Sequence, residues 1–132
     1  MSMDAELMYL TWVAVLTGVL WIPYILDRIV VWGLLDAVGY PANPKPQSAW
    51  AARMMKAHEN AVENLVVFAA LVLIAQDLGI TGGVVATAAA LYFWARVVHV
   101  VAYTLGVPWI RTLAFVAGWV GQMMIAWQIL AS

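Results

Sequence analysis

The sequence predicts an all-α integral membrane protein, a bundle of four spanning helices, on three observations. Hydrophobic residues make up 66% of the 132 and charged residues only 10%. With a mean hydropathy of +0.92, a soluble domain of this size would expose too much apolar surface to stay dispersed. Four long apolar stretches alternate with short Gly- and Pro-bearing connections. Finally, no alternating polar and apolar period runs through them, which excludes spanning strands.

The first stretch covers residues 5–32, with Pro23 as an expected kink because proline lacks the N–H of a helical bond. The second covers 48–76 and the third 83–105. The fourth covers 108–130 and opens on Pro108, a residue suited to the first helical turn. At about 1.5 Å rise per residue each crosses roughly 30 Å of hydrocarbon. "DAVGYPANPKPQ" is too rich in proline to continue a helix, and "DLGITGG" and "TLGVPW" read as tight turns. One domain is expected over 1–132.

Charge orients the bundle. Arg28, Lys45, Arg53, Lys56 and Arg111 gather near the first and third connections, and Asp4, Glu6 and Asp77 fall at the other side. The positive-inside bias then places connections one and three in the cytoplasm and both termini outside. Asp4 and Glu6 stand where a signal peptide would carry Lys or Arg, so no cleavage is expected. The tryptophans read as interfacial anchors or lipid-facing residues. A net charge of −1 provides no basic surface for nucleic acid. The absence of cysteine excludes disulfides, thiolate metal sites and cysteine nucleophiles.

Polar residues inside the spans are costly and therefore informative. In "RMMKAHENAVEN", with Arg53 at 0° and about 100° per residue, Lys56 lies near ~300°, Asn60 ~340°, Glu63 ~280° and Asn64 ~20°. These five share one face of the second span, and His58 and Glu59 point elsewhere. In "ARVVHVVAY", Arg96, His99 and Tyr103 recur at spacings of three and four, again on one face. Arg111 and Thr112 open the fourth span. Four cations, Arg53, Lys56, Arg96 and Arg111, thus converge on the cytoplasmic half, with Glu63 as the carboxylate placed among them. A lone Glu–Arg pair with snorkelling neighbours accounts for single residues. It does not neutralise four cations, so an anionic carboxylate or phosphate partner is expected. His58 and His99 read as structural hydrogen-bonding groups, and no metal site is expected.

"RMMKAHENAVEN", followed by "ARVVHVVAY" and "PWIRTLAF", resembles the MAPEG family, the membrane-associated proteins in eicosanoid and glutathione metabolism. That family includes microsomal glutathione transferases, prostaglandin E synthase and bacterial relatives. The shared pattern, approximately Arg-x-x-Arg-Ala-His-x-Asn-x-x-Glu, is met by Arg53, Lys56, Ala57, His58, Asn60 and Glu63. The resemblance covers nearly the whole chain and implies a homotrimer, as in a bacterial inner membrane, with glutathione as co-substrate bound between subunits and open to the cytoplasm. It implies that Arg53, Lys56, Asn60, Glu63, Arg96, His99 and Tyr103 line or brace the glutathione site, and that Arg111 and Thr112 hold the thiolate. The thiolate would attack a lipophilic electrophile arriving from membrane lipid. Lys56 departs from the commoner arginine, Thr112 keeps a hydroxyl where prostaglandin E synthase has serine, and Glu59 stands where some relatives have arginine. Phe115 stands where several relatives carry tyrosine.

Two other readings stay open. In a non-catalytic relative the chain would bind a lipid or a membrane protein, and the loss of tyrosine at Phe115 fits that. A small four-helix exporter would exchange protons on Glu63 for a cationic drug. The surrounding cations argue against it, and the first-span carboxylate available to such an exporter, Asp27, sits beside Arg28.

The orientation is directly testable, because the chain has no cysteine of its own. In intact cells an impermeant thiol reagent should label a Ser132→Cys variant and leave an Asn43→Cys variant unlabelled. The reverse pattern would invert the topology.

Overall fold

The computed structural model describes residues 3–132, which form six helices: α1 (Ala5–Val19), α2 (Trp21–Trp32), α3 (Leu34–Val38), α4 (Ala49–Asp77), α5 (Gly83–Leu105) and α6 (Pro108–Leu130). Four segments are long and apolar enough to cross a membrane: Ala5–Trp32, Ala49–Asp77, Gly83–Leu105 and Pro108–Leu130. No strand occurs among the described residues.

The first span is broken at Leu20. The interruption sits three residues before Pro23 because proline acts backwards: with no N–H, its ring cannot bond to the carbonyl one turn earlier, that of Val19. The first connection also differs from a purely irregular loop. Its opening residues, Asp36 to Val38, close the short helix α3. The Pro-rich remainder is tied to α2 by side chains. Asp27 accepts the Ser48 backbone N–H at 3.1 Å, the Ser48 hydroxyl, and Gln47 Nε2 at 3.2 Å. Arg28 Nε donates to Gln47 Oε1 at 3.0 Å, and Trp32 Nε1 donates to the Lys45 carbonyl at 2.6 Å. Ser48 is the residue before α4, so Asp27 anchors the start of the helix that carries the polar motif.

The turn between α5 and α6 is the shortest connection between spans. Gly106 adopts φ +77°, a left-handed conformation that suits glycine. The Val107 N–H then closes on the Ala102 carbonyl at 2.8 Å, and Pro108 starts α6. As a result α5 and α6 run side by side and pack more extensively than any other pair.

Small residues let them do so. In "GWVG" the two glycines lie three apart, not four, so the sequence lacks the GxxxG spacing. Both nevertheless face α5. A Cβ on Gly121 would lie 2.8 Å from the Ala88 carbonyl oxygen, and one on Gly118 would touch Tyr92 and Arg96 at 3.7 Å. With little hydrophobic drive between helices in lipid, this close packing supplies cohesion. The core beneath it combines Val13, Phe68, Val72, Val85, Tyr92 and Ile125 with buried alanines. The Phe68 and Tyr92 rings stack at 3.9 Å between centroids. Gln122 Nε2 donates to the Asn64 carbonyl at 3.1 Å, joining α6 to α4.

At the opposite end, Glu6 is 1% exposed and accepts the Gly82 backbone N–H at 3.0 Å. This carboxylate sits where α5 begins, and a helix N-terminus favours negative charge.

Gly121→Val should destabilise the bundle by about 1–3 kcal/mol, since backbone and not a flexible side chain meets the added atoms. Gly118→Ala, with room at 3.7 Å, should cost less. Thermal unfolding in detergent compares the two.

Candidate functional site

Three helices bring their polar faces together near the α5–α6 turn. From α4 comes Asn60, from α5 His99 and Tyr103, and from α6 Arg111, Thr112 and Phe115. These six line one cavity of about 190 Å³. Asn60 and Asn64 stand one turn apart, and Asn64 Nδ2 donates to the Asn60 carbonyl at 2.9 Å and to its Oδ1 at 3.3 Å. The α5 residues follow the three-and-four spacing that keeps side chains on one helix face.

Arg96 lies behind this wall. It is 2% exposed. Its Nη2 donates to Asn60 Oδ1 at 2.7 Å and to His99 Nδ1 at 3.3 Å, and its buried Nε has no partner among the described residues. A guanidinium is thus enclosed by neutral acceptors, a costly arrangement in a hydrocarbon span. Its charge is felt by whatever occupies the cavity in front of Asn60 and His99.

Arg111 sits at the mouth. Its guanidinium carbon lies 4.7 Å from the Tyr103 ring centroid, a cation–π contact that orients it. The His99 ring meets Tyr103 edge-on at 5.6 Å and Phe115 at 6.3 Å. Thr112 Oγ1 donates to the Pro108 carbonyl at 3.0 Å, so its proton is turned back on the helix and its lone pairs face outward. Chemically the cavity combines one positive charge at the mouth, a second behind the wall, two hydroxyls and an imidazole. Such a site suits an anion or a thiolate.

The other residues singled out by sequence lie outside this cavity. Arg53 Nε donates to the Thr104 carbonyl at 2.9 Å, in the last turn of α5. Its guanidinium is close enough that a Cβ on Gly106 would meet it at 3.4 Å. There it satisfies a carbonyl the helix leaves open and complements the negative end of the helix dipole. Lys56 is exposed.

Glu63 is separated from the cavity cations. It lines a second cavity of about 350 Å³ with Tyr24, Met55, His58, Glu59 and Val62, between α2 and α4. On the wheel Glu63 is the edge member of the stripe, and α2 packs along that edge. His58 is bound there by the Tyr24 hydroxyl, 2.8 Å from its Nδ1. No group of three or more His, Cys, Asp or Glu able to hold a metal occurs among the described residues. Asp27 is committed to the Ser48 and Gln47 bonds already described. Phe115 is the cavity residue that sequence reading met only as a departure from relatives, and Tyr24 was not singled out at all. Tyr24 pairs with His58 across 34 positions of sequence, a distance no local pattern reveals.

Residues 9–131 match the family model described as "MAPEG family". No curated protein matches the chain.

Arg53→Met keeps the side-chain stem and removes the donor. It should cost about 1.5–3 kcal/mol, the usual range for a hydrogen bond from a charged group, and hydrogen exchange should rise first at residues 104–107. Unchanged protection there would remove Arg53 from the turn.

Proposed function

The chain belongs to the MAPEG family, and from that premise we propose a glutathione-dependent membrane transferase or peroxidase acting on lipophilic electrophiles. One observation carries the reading. Asn60, His99, Tyr103, Arg111 and Thr112, from three helices, line a single cavity with Arg96 buried behind it. In this reading the cavity takes the thiol end of glutathione. At about 190 Å³ it suits one end of the tripeptide and not the whole. The remainder would extend along α4 past exposed Lys56 and Glu63, under cover of a neighbouring subunit in a homotrimer of the microsomal glutathione transferase and prostaglandin E synthase kind. The site would open to the cytoplasm from a membrane such as the bacterial inner membrane, with both termini on the far side.

The chemistry asked of the residues is modest. A free thiol has a pKa of about 8.5 and is mostly protonated at neutral pH. Arg111 stabilises the anion by charge, and the proton leaves to water. The sulfur lone pair attacks the electrophilic carbon, a C–S bond forms, and the leaving group departs with the bonding pair. In the peroxidase variant, two glutathiones are oxidised to a disulfide while a lipid hydroperoxide is reduced to alcohol and water. Phe115, at the place where several relatives carry tyrosine, offers no hydroxyl, so charge stabilisation falls on Arg111, joined by Thr112 when its hydroxyl swings from the Pro108 carbonyl to the sulfur. The exposed apolar side chains of α6 give an electrophile dissolved in lipid direct access to the cavity mouth.

The experiment follows glutathione bound to the purified protein by thiolate ultraviolet absorbance as pH is raised. A two-unit fall in thiol pKa corresponds to about 2.7 kcal/mol. Arg111→Ala should return the thiol to its solution value and cut kcat by about 10²-fold with less effect on KM. Thr112→Val should fall between. A bound thiol that titrates as in water, or full turnover in Arg111→Ala, would shift the reading to a non-catalytic family member.

A further inference from the structure

We propose that Arg96 is a positioning residue: it turns Asn60 and His99 so that both present hydrogen-bond donors, and only donors, to the ligand in the cavity. This rests on the reading of that cavity as the thiol site.

The argument starts from what a guanidinium is. It carries five N–H donors and no acceptor. Its contact with His99 Nδ1 at 3.3 Å therefore requires a lone pair on Nδ1. A neutral imidazole with a bare Nδ1 carries its proton on Nε2. Asn60 is constrained in the same way. Its Oδ1 accepts from Arg96 at 2.7 Å and from Asn64 Nδ2 at 3.3 Å. Rotating the amide by half a turn would set Nδ2 against two donors. The carbonyl end is thus consumed inside the protein, and Nδ2 remains as the end available to a ligand.

Asn60 and His99 line the cavity and Arg96 does not. Arg96 acts through them. It is also held where it cannot turn away, 2% exposed, with its side chain packed close to Gly118 of α6. Two side chains that could each donate or accept become fixed donors. With the Arg111 guanidinium at the mouth, the wall offers N–H groups from three residues on three helices. A thiolate sulfur or a carboxylate accepts from all of them. An ammonium group, or a neutral thiol that must donate its own proton, finds no acceptor among these three and is left with the hydroxyl oxygens of Thr112 and Tyr103. Arg96 therefore favours the anionic form of the bound group without touching it, and this separates its role from that of Arg111, which meets the ligand directly.

The chain contains two histidines, so a histidine nitrogen-15 spectrum of the full-length protein in micelles at neutral pH resolves His99, with His58→Gln assigning the pair. The wild type should show His99 with an unprotonated Nδ1 and a protonated Nε2. Arg96→Met, which keeps bulk and removes every donor, should release the ring into a mixture of tautomers and raise the glutathione KM about tenfold. Arg96→Lys, still a pure donor, should restore the single tautomer and most of the affinity. A structural role alone would move stability without moving the tautomer. A protonated Nδ1 in the wild type overturns the proposal whatever the variants do, and so does an Arg96→Met protein with unchanged tautomer and KM. The expected tautomer in a protein that binds no glutathione would sustain the positioning role and overturn the reading of the cavity as a thiol site.

Discussion

A guanidinium buried in a membrane span is the constraint around which the bundle is arranged. Arg96 is enclosed by α4, α5 and α6, and hydrocarbon offers it nothing. The chain supplies neutral oxygen and nitrogen acceptors from Asn60 and His99. Neutral partners satisfy hydrogen bonds but leave the charge in place. The same arrangement that makes Arg96 tolerable keeps the neighbouring cavity electropositive. Bringing three backbones close enough requires small residues, and they are there: Ala57, Ala61, Ala95 and Gly118 are all buried. The small side chains are thus part of the electrostatic design and not only of the packing.

Much of this was legible in the sequence. The four spans follow from hydropathy and length, a strong signal because lipid admits only helices and closed barrels. Three-and-four spacing set Arg96, His99 and Tyr103 on one face of α5, and the wheel set Asn60 and Asn64 on one face of α4. Helical geometry is regular enough for such inferences within one element. It fails at the edges of a stripe, where the neighbour decides. Glu63 sits about 60° from Asn60 on the wheel, and α2 passing beside α4 draws it into the cavity with Tyr24 and His58. Arg53 lies well inside its stripe, yet the α5–α6 turn lies within its reach, and a backbone carbonyl takes its Nε. Nothing in the local sequence announces that carbonyl. The kink expected of Pro23 appears at Leu20, because a proline shows its effect one turn upstream.

The polar side chains inside the spans divide by what they meet. Arg53 ends on the Thr104 carbonyl, Gln122 on the Asn64 carbonyl, and Asp27 on the N–H that starts α4. Arg53 and Asp27 close backbone groups that helix ends leave open, which in lipid are expensive, and Gln122 ties α6 to a carbonyl in the middle of α4. Asn60, His99, Tyr103 and Arg111 bond or stack with other side chains instead and leave atoms facing the cavity. The first group holds helices in register, so its loss is felt throughout the bundle. The second group is held in register by the first, and its loss is felt locally. The Gly106 turn joins the two. It fixes where α6 begins, Arg53 braces it from α4, and Arg111 projects from the α6 turn that follows. A cavity built this way needs no flexible loop to assemble it. The groups that would meet a ligand are already in position, so binding energy need not be spent on ordering them.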